Sequence, residues 1–356
     1  MLNWLLIFVP VTIALEFLSP ASDTLIFISA CLAIVPLAGR LGAATEQIAL
    51  RTGDAIGGLL NATFGNAAEL IIAVMALRKG LYSVVKASLT GSIIGNILLV
   101  LGAAALAGGI RHKRQKFNRT GACAQATLLT LAAIGMIVPA AFHHLGGPGA
   151  RMQEDALSLG IAAVSFAAYL AHLLFSLYTH RQMCASDGTE EHEEPGAPWT
   201  MKRSLLELAG STALIAWISE ILVASVEQAA TAFGMTGIFL GVIVVAVVGN
   251  AAEHSTAVMM ALKNRMEVSV AIAIGSSLQI ALFVTPLLVL VSRFIGPRTM
   301  DLVFTPAEVL AVFLAVMITG QIAADGETNW LEGVQLLAVY LILAIVFYFL
   351  PETSAL

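Results

Sequence analysis

The five-residue word Gly-Asn-Ala-Ala-Glu occurs twice in this chain, at 65–69 and at 249–253, and each copy lies deep in a long apolar run. A carboxylate at mid-membrane depth costs about 3 kcal/mol or more. Carrying that cost twice in the same local sequence points to function. A second signal travels with the first. Thr90-Gly91-Ser92 follows the first word and Ile274-Gly275-Ser276 follows the second, and both Glu69/Glu253 and Ser92/Ser276 are 184 positions apart. Asn96 and Gln279 depart from that offset by one and are expected to match in role rather than in position. The bland alternative is that the Gly-Ala-rich words only pack helices, and a two-signal repeat at one spacing argues against it.

The surroundings of these words are those of a polytopic membrane protein. The 356 residues are 58% hydrophobic and 12% charged, where a soluble domain has about a quarter charged. A spanning helix needs roughly 20 mostly apolar residues. Eleven such stretches are expected, at 2–18, 24–43, 57–78, 83–109, 120–142, 154–179, 204–231, 237–262, 267–294, 303–324 and 330–350. The first lacks a basic leader and a small-residue cleavage site and contains Glu16, so it is taken as a retained helix. Cys31, Cys123 and Cys184 are scattered, without metal-ligand spacing.

The expected fold is therefore all-α with 11 transmembrane helices: one N-terminal helix (1–20), a five-helix repeat (21–180), an acidic cytoplasmic linker (181–203) and a second five-helix repeat (204–356). Five spans per unit is an odd number, so the second copy must enter the bilayer from the opposite side. Inverted repeats with a site at the midplane between them are a common plan of secondary transporters. Twelve of the 18 Lys and Arg fall in the even-numbered connections and their helix ends, five of them between Arg111 and Arg119. The positive-inside rule then places the N-terminus in the cytoplasm. Arg78, Lys79 and Lys86 run against that pattern.

On a helix, Asn66 and Glu69 share a face, as do Asn250 and Glu253, Ser92 and Asn96, and Ser276 and Gln279. Each block offers one carboxylate with neutral oxygens beside it. Gly65-Asn66 and Gly249-Asn250 also tolerate a departure from helical geometry that would free backbone carbonyls. Ca²⁺ takes 6–8 oxygens of mixed type. Two facing carboxylates in a low dielectric cannot both stay ionised without a counter-charge. A divalent cation and protons thus compete for Glu69 and Glu253. If only loaded, near-neutral states change access, competition becomes exchange.

These residues resemble the calcium/proton exchanger family of the cation/calcium exchanger superfamily. Asn61-Ala-Thr-Phe-Gly65-Asn66-Ala-Ala-Glu69-Leu70, with Gly91-Ser92 and Gly95-Asn96, resembles its first signature. Gly249-Asn250-Ala-Ala-Glu253-His254, with the run from Gly275 to Phe283, resembles its second. The resemblance spans nearly the whole chain. It implies the 11-helix fold and calcium movement driven by a proton gradient, with Glu69 and Glu253 as central carboxylates. Asn66, Asn250, Ser92, Ser276 and Gln279 match the family's site-lining residues. The sodium/calcium branch carries hydroxyls before its glutamate, so the Gly-Asn-x-x-Glu form favours protons as counter-ion. The start close to the first helix suggests a prokaryotic cell membrane rather than a vacuole.

Other titratable residues are weaker candidates. Glu46, following Thr45, resembles a family element near the cytoplasmic entrance; an interfacial helix end is the alternative. Glu220 sits in an apolar run and is a candidate proton relay. His254 neighbours Glu253 but points about 100° away, which suits proton transfer better than ligation. Thr305-Pro306-Ala307-Glu308 has the form of a capping box, giving Glu308 a structural role. His143 and His144 fall in an outer connection with no obvious partner. The acidic run 187–194 is either a cation-gathering segment or a solvated linker. An antiporter of Na⁺, K⁺ or Mn²⁺ shares every oxygen ligand proposed. A membrane-embedded enzyme is disfavoured, since HExxH and GxSxG are both missing from the sequence. Nothing in the charge balance suggests a nucleic-acid partner, no cofactor is expected, and oligomeric state is not encoded legibly.

Overall fold

The structure, a computed structural model, describes residues 3–18, 23–52, 54–147, 153–180 and 199–350. Among them the chain is almost wholly helical. A short apolar helix, α1 (Asn3–Leu18), precedes the long α2 (Asp23–Thr52). Two shorter helices follow, α3 (Asp54–Phe64) and α4 (Ala67–Arg78). Then come α5 (Tyr82–Arg111), α6 (Arg119–Leu145), α7 (Glu154–Thr179) and α8 (Met201–Phe233). The last part holds α9 (Gly237–Gly249), α10 (Ala251–Leu262), α11 (Met266–Ile295), α12 (Pro306–Asp325) and α13 (Trp330–Phe349). Among the described residues the one departure from helix and loop is a two-residue antiparallel pair, β1 (Gln115–Lys116) with β2 (Glu327–Thr328). The acidic run 187–194 lies outside the described residues.

Among the described residues, eight helices are long and apolar enough to cross a membrane, and the bent pair α9/α10 makes a ninth. That differs in two places from eleven uniform spans. At about 1.5 Å per residue, α1 is shorter than a ~30 Å hydrocarbon core. The expected span 57–78 is two helices rather than one, broken at Gly65-Asn66. The second word breaks its helix in the same way, and α9 and α10 meet at 62°. Both breaks have one cause. Asn66 (φ −104°, ψ 28°) and Asn250 (φ −92°, ψ 5°) leave helical geometry and become the caps of α4 and α10. An asparagine at that place ordinarily caps the helix with its side chain. Neither does so here, which releases both amides for other contacts.

The duplication is visible in the backbone. Helices α4 and α5 begin and end 184 residues before α10 and α11. Each long copy also carries a π-helical stretch at matching places, Gly95–Val100 in α5 and Ile280–Val284 in α11. Such wide turns often mark functional sites. Helices α5 and α11 run antiparallel. Tyr82 Oη at the start of α5 donates to Arg298 O beyond the end of α11 at 2.6 Å. Near the opposite end, Gln115 Nε2 donates to Ala261 O just before α11 begins, at 2.7 Å. They cross where Ser277 Oγ reaches Ile93 O at 3.3 Å. Helix α5 lies backbone-to-backbone on α9: a Cβ on Gly91 would fall 2.0 Å from Val242 O, so only glycine fits. Close approach through small residues is how helices associate in lipid.

Candidate cation-binding site

The helix breaks create the site. Each ends one half-helix and starts another inside an apolar stretch expected to span the membrane. Glu69 and Glu253 then fall in the first turn of α4 and of α10. The N-terminus of a helix carries partial positive charge, so each carboxylate sits where the backbone favours it. Discontinuous helices of this kind build ion sites in secondary transporters.

The two copies interlock. Glu69 is only 7% exposed. Its Oε1 lies against Gly249 of the other copy, 2.9 Å from where a Cβ would be. Glu253 is half-buried and its Oε2 accepts from Ser276 Oγ at 2.6 Å. Asn66 Nδ2 donates to Gln279 Oε1 at 2.5 Å. Asn250 Nδ2 donates to Ser92 Oγ at 3.1 Å and to Ala246 O at 2.9 Å. Both amides therefore spend their N–H groups across or along the fold. Both leave Oδ1 buried without a hydrogen-bond partner among the described residues. An unpaired buried carbonyl oxygen costs about 1–3 kcal/mol. Two carboxylates and two such oxygens, all hard acceptors, are a donor set suited to Ca²⁺.

The structure pairs most of the expected residues across the two copies. Glu69 lies against Gly249, Glu253 against Ser276, Asn66 and Gly65 against Gln279, and Asn250 against Ser92. Gly65 takes part through its backbone: a Cβ there would meet Asn61 O at 2.7 Å and Gln279 Oε1 at 3.3 Å. Asn96 and Gln279 do not act as a matched pair. Gln279 holds Asn66, whereas Asn96 Oδ1 meets His254 Nε2 at 3.2 Å. His254 is thus tied to the site wall rather than to its centre.

Glu220 corrects the expectation of a buried relay: its side chain is exposed on α8, and its backbone carbonyl accepts from Lys79 Nζ at 3.2 Å. An apolar run in a membrane protein faces lipid as readily as core, so burial did not follow. Glu46 lies within α2, which continues to Thr52, and is exposed. Glu308 closes the expected capping box with Thr305. His143 does have a partner, Glu154 Oε1 at 2.8 Å. The Lys86–Asp301 ion pair at 2.5 Å, with Val303 O at 2.8 Å from the same ammonium, had no signal in the sequence. Burial alone would raise the Asp301 carboxyl. The charge and hydrogen bond of Lys86, the Val303 N–H and the Arg298 charge outweigh it and hold the group below its usual 3.8.

A helical membrane protein whose duplicated, broken helices bring two carboxylates and unpaired amide oxygens together has the architecture of a transporter. The model of the sodium/calcium exchanger protein family matches residues 22–178 and 203–349, and the chain belongs to that family. It is 44% identical to the Ca(2+)/H(+) antiporter of Synechocystis sp. over 98% of this chain and 96% of that one. To the Ca(2+)/H(+) antiporter ChaA of Bacillus subtilis it is 46% identical, over 92% and 93% of the two chains. Among solved structures it matches native YfkE with a TM-score of 0.84 at 40% identity, covering 98% of this chain and all of that one.

Proposed function

We propose that this chain exchanges Ca²⁺ for H⁺ across a membrane by alternating access, with Glu69 and Glu253 sharing one Ca²⁺ or taking protons in its place. The observation that carries the proposal is the seating of the Glu69 carboxylate against Gly249, at the break of the second copy. The two glutamates thereby belong to one site. Loaded with Ca²⁺, their joint charge is cancelled and Asn66 Oδ1, Asn250 Oδ1 and carbonyls at the breaks complete the shell. Loaded with protons, they are neutral. The empty, doubly charged site is the costly one in a low dielectric, so the halves rock only when loaded. The full-length likeness to Ca²⁺/H⁺ antiporters supports the choice of ions.

The finer architecture belongs to the same proposal. Counting α1 and each broken pair as one crossing gives eleven, with units at 1–20, 21–180, 181–203 and 204–356. The antiparallel course of α5 and α11 supports inversion. Contacts near the connections support the topology: among the described residues, Gln47 near the end of α2 meets Trp199 just before α8, β1 meets β2, and Tyr82 at the start of α5 meets Arg298 beyond α11, each pairing helix ends expected on one side of the membrane. The N-terminus is cytoplasmic, the membrane is a prokaryotic cell membrane, and bacterial relatives support that location. Reconstitution in proteoliposomes with an imposed pH gradient tests the function. Ca²⁺ uptake driven by ΔpH is expected; Na⁺ flux without Ca²⁺ flux contradicts it.

A further inference from the structure

We propose that a groove between α1, α2 and the start of α8 binds one anionic phospholipid, headgroup at its basic end and acyl chain along its apolar end. The groove encloses about 560 Å³. Arg40, Lys202 and Arg203 line it against a single acidic residue, Glu207. Glu207 is partly neutralised by Arg40 at 3.6 Å, which leaves the end cationic. Leu6, Leu37, Leu206 and Leu214 line the rest. Basic pockets between transmembrane helices hold acidic lipid headgroups.

The depth is right for a lipid. Trp199 lies under the Arg203 guanidinium at 4.5 Å, and Trp4 near Leu6 is 68% exposed. Tryptophans of this kind sit at the membrane–water boundary, so the basic end is at headgroup level and the leucines reach into hydrocarbon. The N-terminus of α8, with Thr200 as its cap, adds backbone N–H groups and a positive dipole end to the same spot. Gly210 keeps the apolar end open, since a Cβ there meets no atom within 4 Å. A soluble phosphate would leave the leucine-lined part unused, which is why the occupant is a lipid. The groove involves none of the residues of the cation site, so its failure leaves the exchange proposal untouched.

Native mass spectrometry of the detergent-purified protein, titrated with dioleoylphosphatidylglycerol, dioleoylphosphatidylcholine and glycerol 3-phosphate, tests it. One phosphatidylglycerol is expected to bind at least about tenfold more tightly than phosphatidylcholine, with each of Lys202→Gln and Arg203→Gln weakening it about fivefold. Gly210→Trp fills the open space and is expected to abolish retention while thermal unfolding stays unchanged. Equal affinity for the two lipids, equal binding of glycerol 3-phosphate, or full retention by both glutamine variants would overturn the proposal.

Discussion

Glu69 and Glu253 occupy the same place in the same word, yet their surroundings differ. Glu69 is buried and pressed against the glycine of the other copy, whereas Glu253 is half-buried and held by a serine hydroxyl of the helix that follows it. The asparagines differ as well: Asn66 leans on Gln279 of α11, Asn250 on Ser92 of α5. The repeated sequence specifies the backbone break in both copies. Side-chain surroundings then depend on how the copies are docked. On the alternating-access cycle proposed above, the unequal surroundings belong to one state, and the other state exchanges them.

The comparison breaks most easily at the carboxylates. Glu69→Gln and Glu253→Gln are each expected to lower ΔpH-driven Ca²⁺ flux on the order of a hundredfold, within the range over which ligand charge tunes Ca²⁺ sites. Flux assays on the separate variants check this, and full activity in either one ends the shared-site account.

The glycines after the words sharpen the asymmetry. Gly91 and Gly275 are equivalent by sequence, but a Cβ on Gly91 strikes Val242 O at 2.0 Å and one on Gly275 meets nothing within 4 Å. Gly91→Ala should therefore cost about 1–3 kcal/mol or more by overpacking. Gly275→Ala should stay within roughly 0.5 kcal/mol. Thermal unfolding in detergent reads both. Equal effects would mean that the two copies are packed alike.

Asn66→Ala and Asn250→Ala each remove one unpaired buried oxygen and are expected to weaken Ca²⁺ binding about tenfold, a loss of about 1.4 kcal/mol per ligand. Calorimetric titration at fixed pH measures it. Unchanged affinity would leave those oxygens without a role.

The smallest expected effect lies away from the site, at Lys86–Asp301. The Asp301 carboxyl is depressed in the folded chain, so its contribution is fully present above the ordinary value of 3.8 and is lost as pH falls through the folded-state value. Asp301→Asn should flatten the acid limb of the stability profile and leave neutral-pH exchange in place. An unaltered acid limb would show that the pair contributes nothing.

Much of this was legible in advance because a bilayer restricts composition. Apolar runs marked the helices, and two copies of one word at one offset marked the two helix breaks. Gly-Asn announced a departure from helix, since glycine and asparagine are the residues that tolerate one. Three things were not legible. Apolar neighbours did not tell lipid from core, which is why Glu220 was misplaced. The π-helical turns leave no compositional trace. The cross-copy partners, Gln279 for Asn66 and Asn96 for His254, depend on docking that a linear offset cannot supply.

The central claim is that the two glutamates make one site. Ca²⁺ binding to the purified protein, measured for Glu69→Gln, Glu253→Gln and the double variant, tests it most directly. A single Ca²⁺ per chain in the parent protein, lost in either single variant and no worse in the double, is the predicted result. Two Ca²⁺ per chain, with each variant removing one and sparing the other, would contradict it.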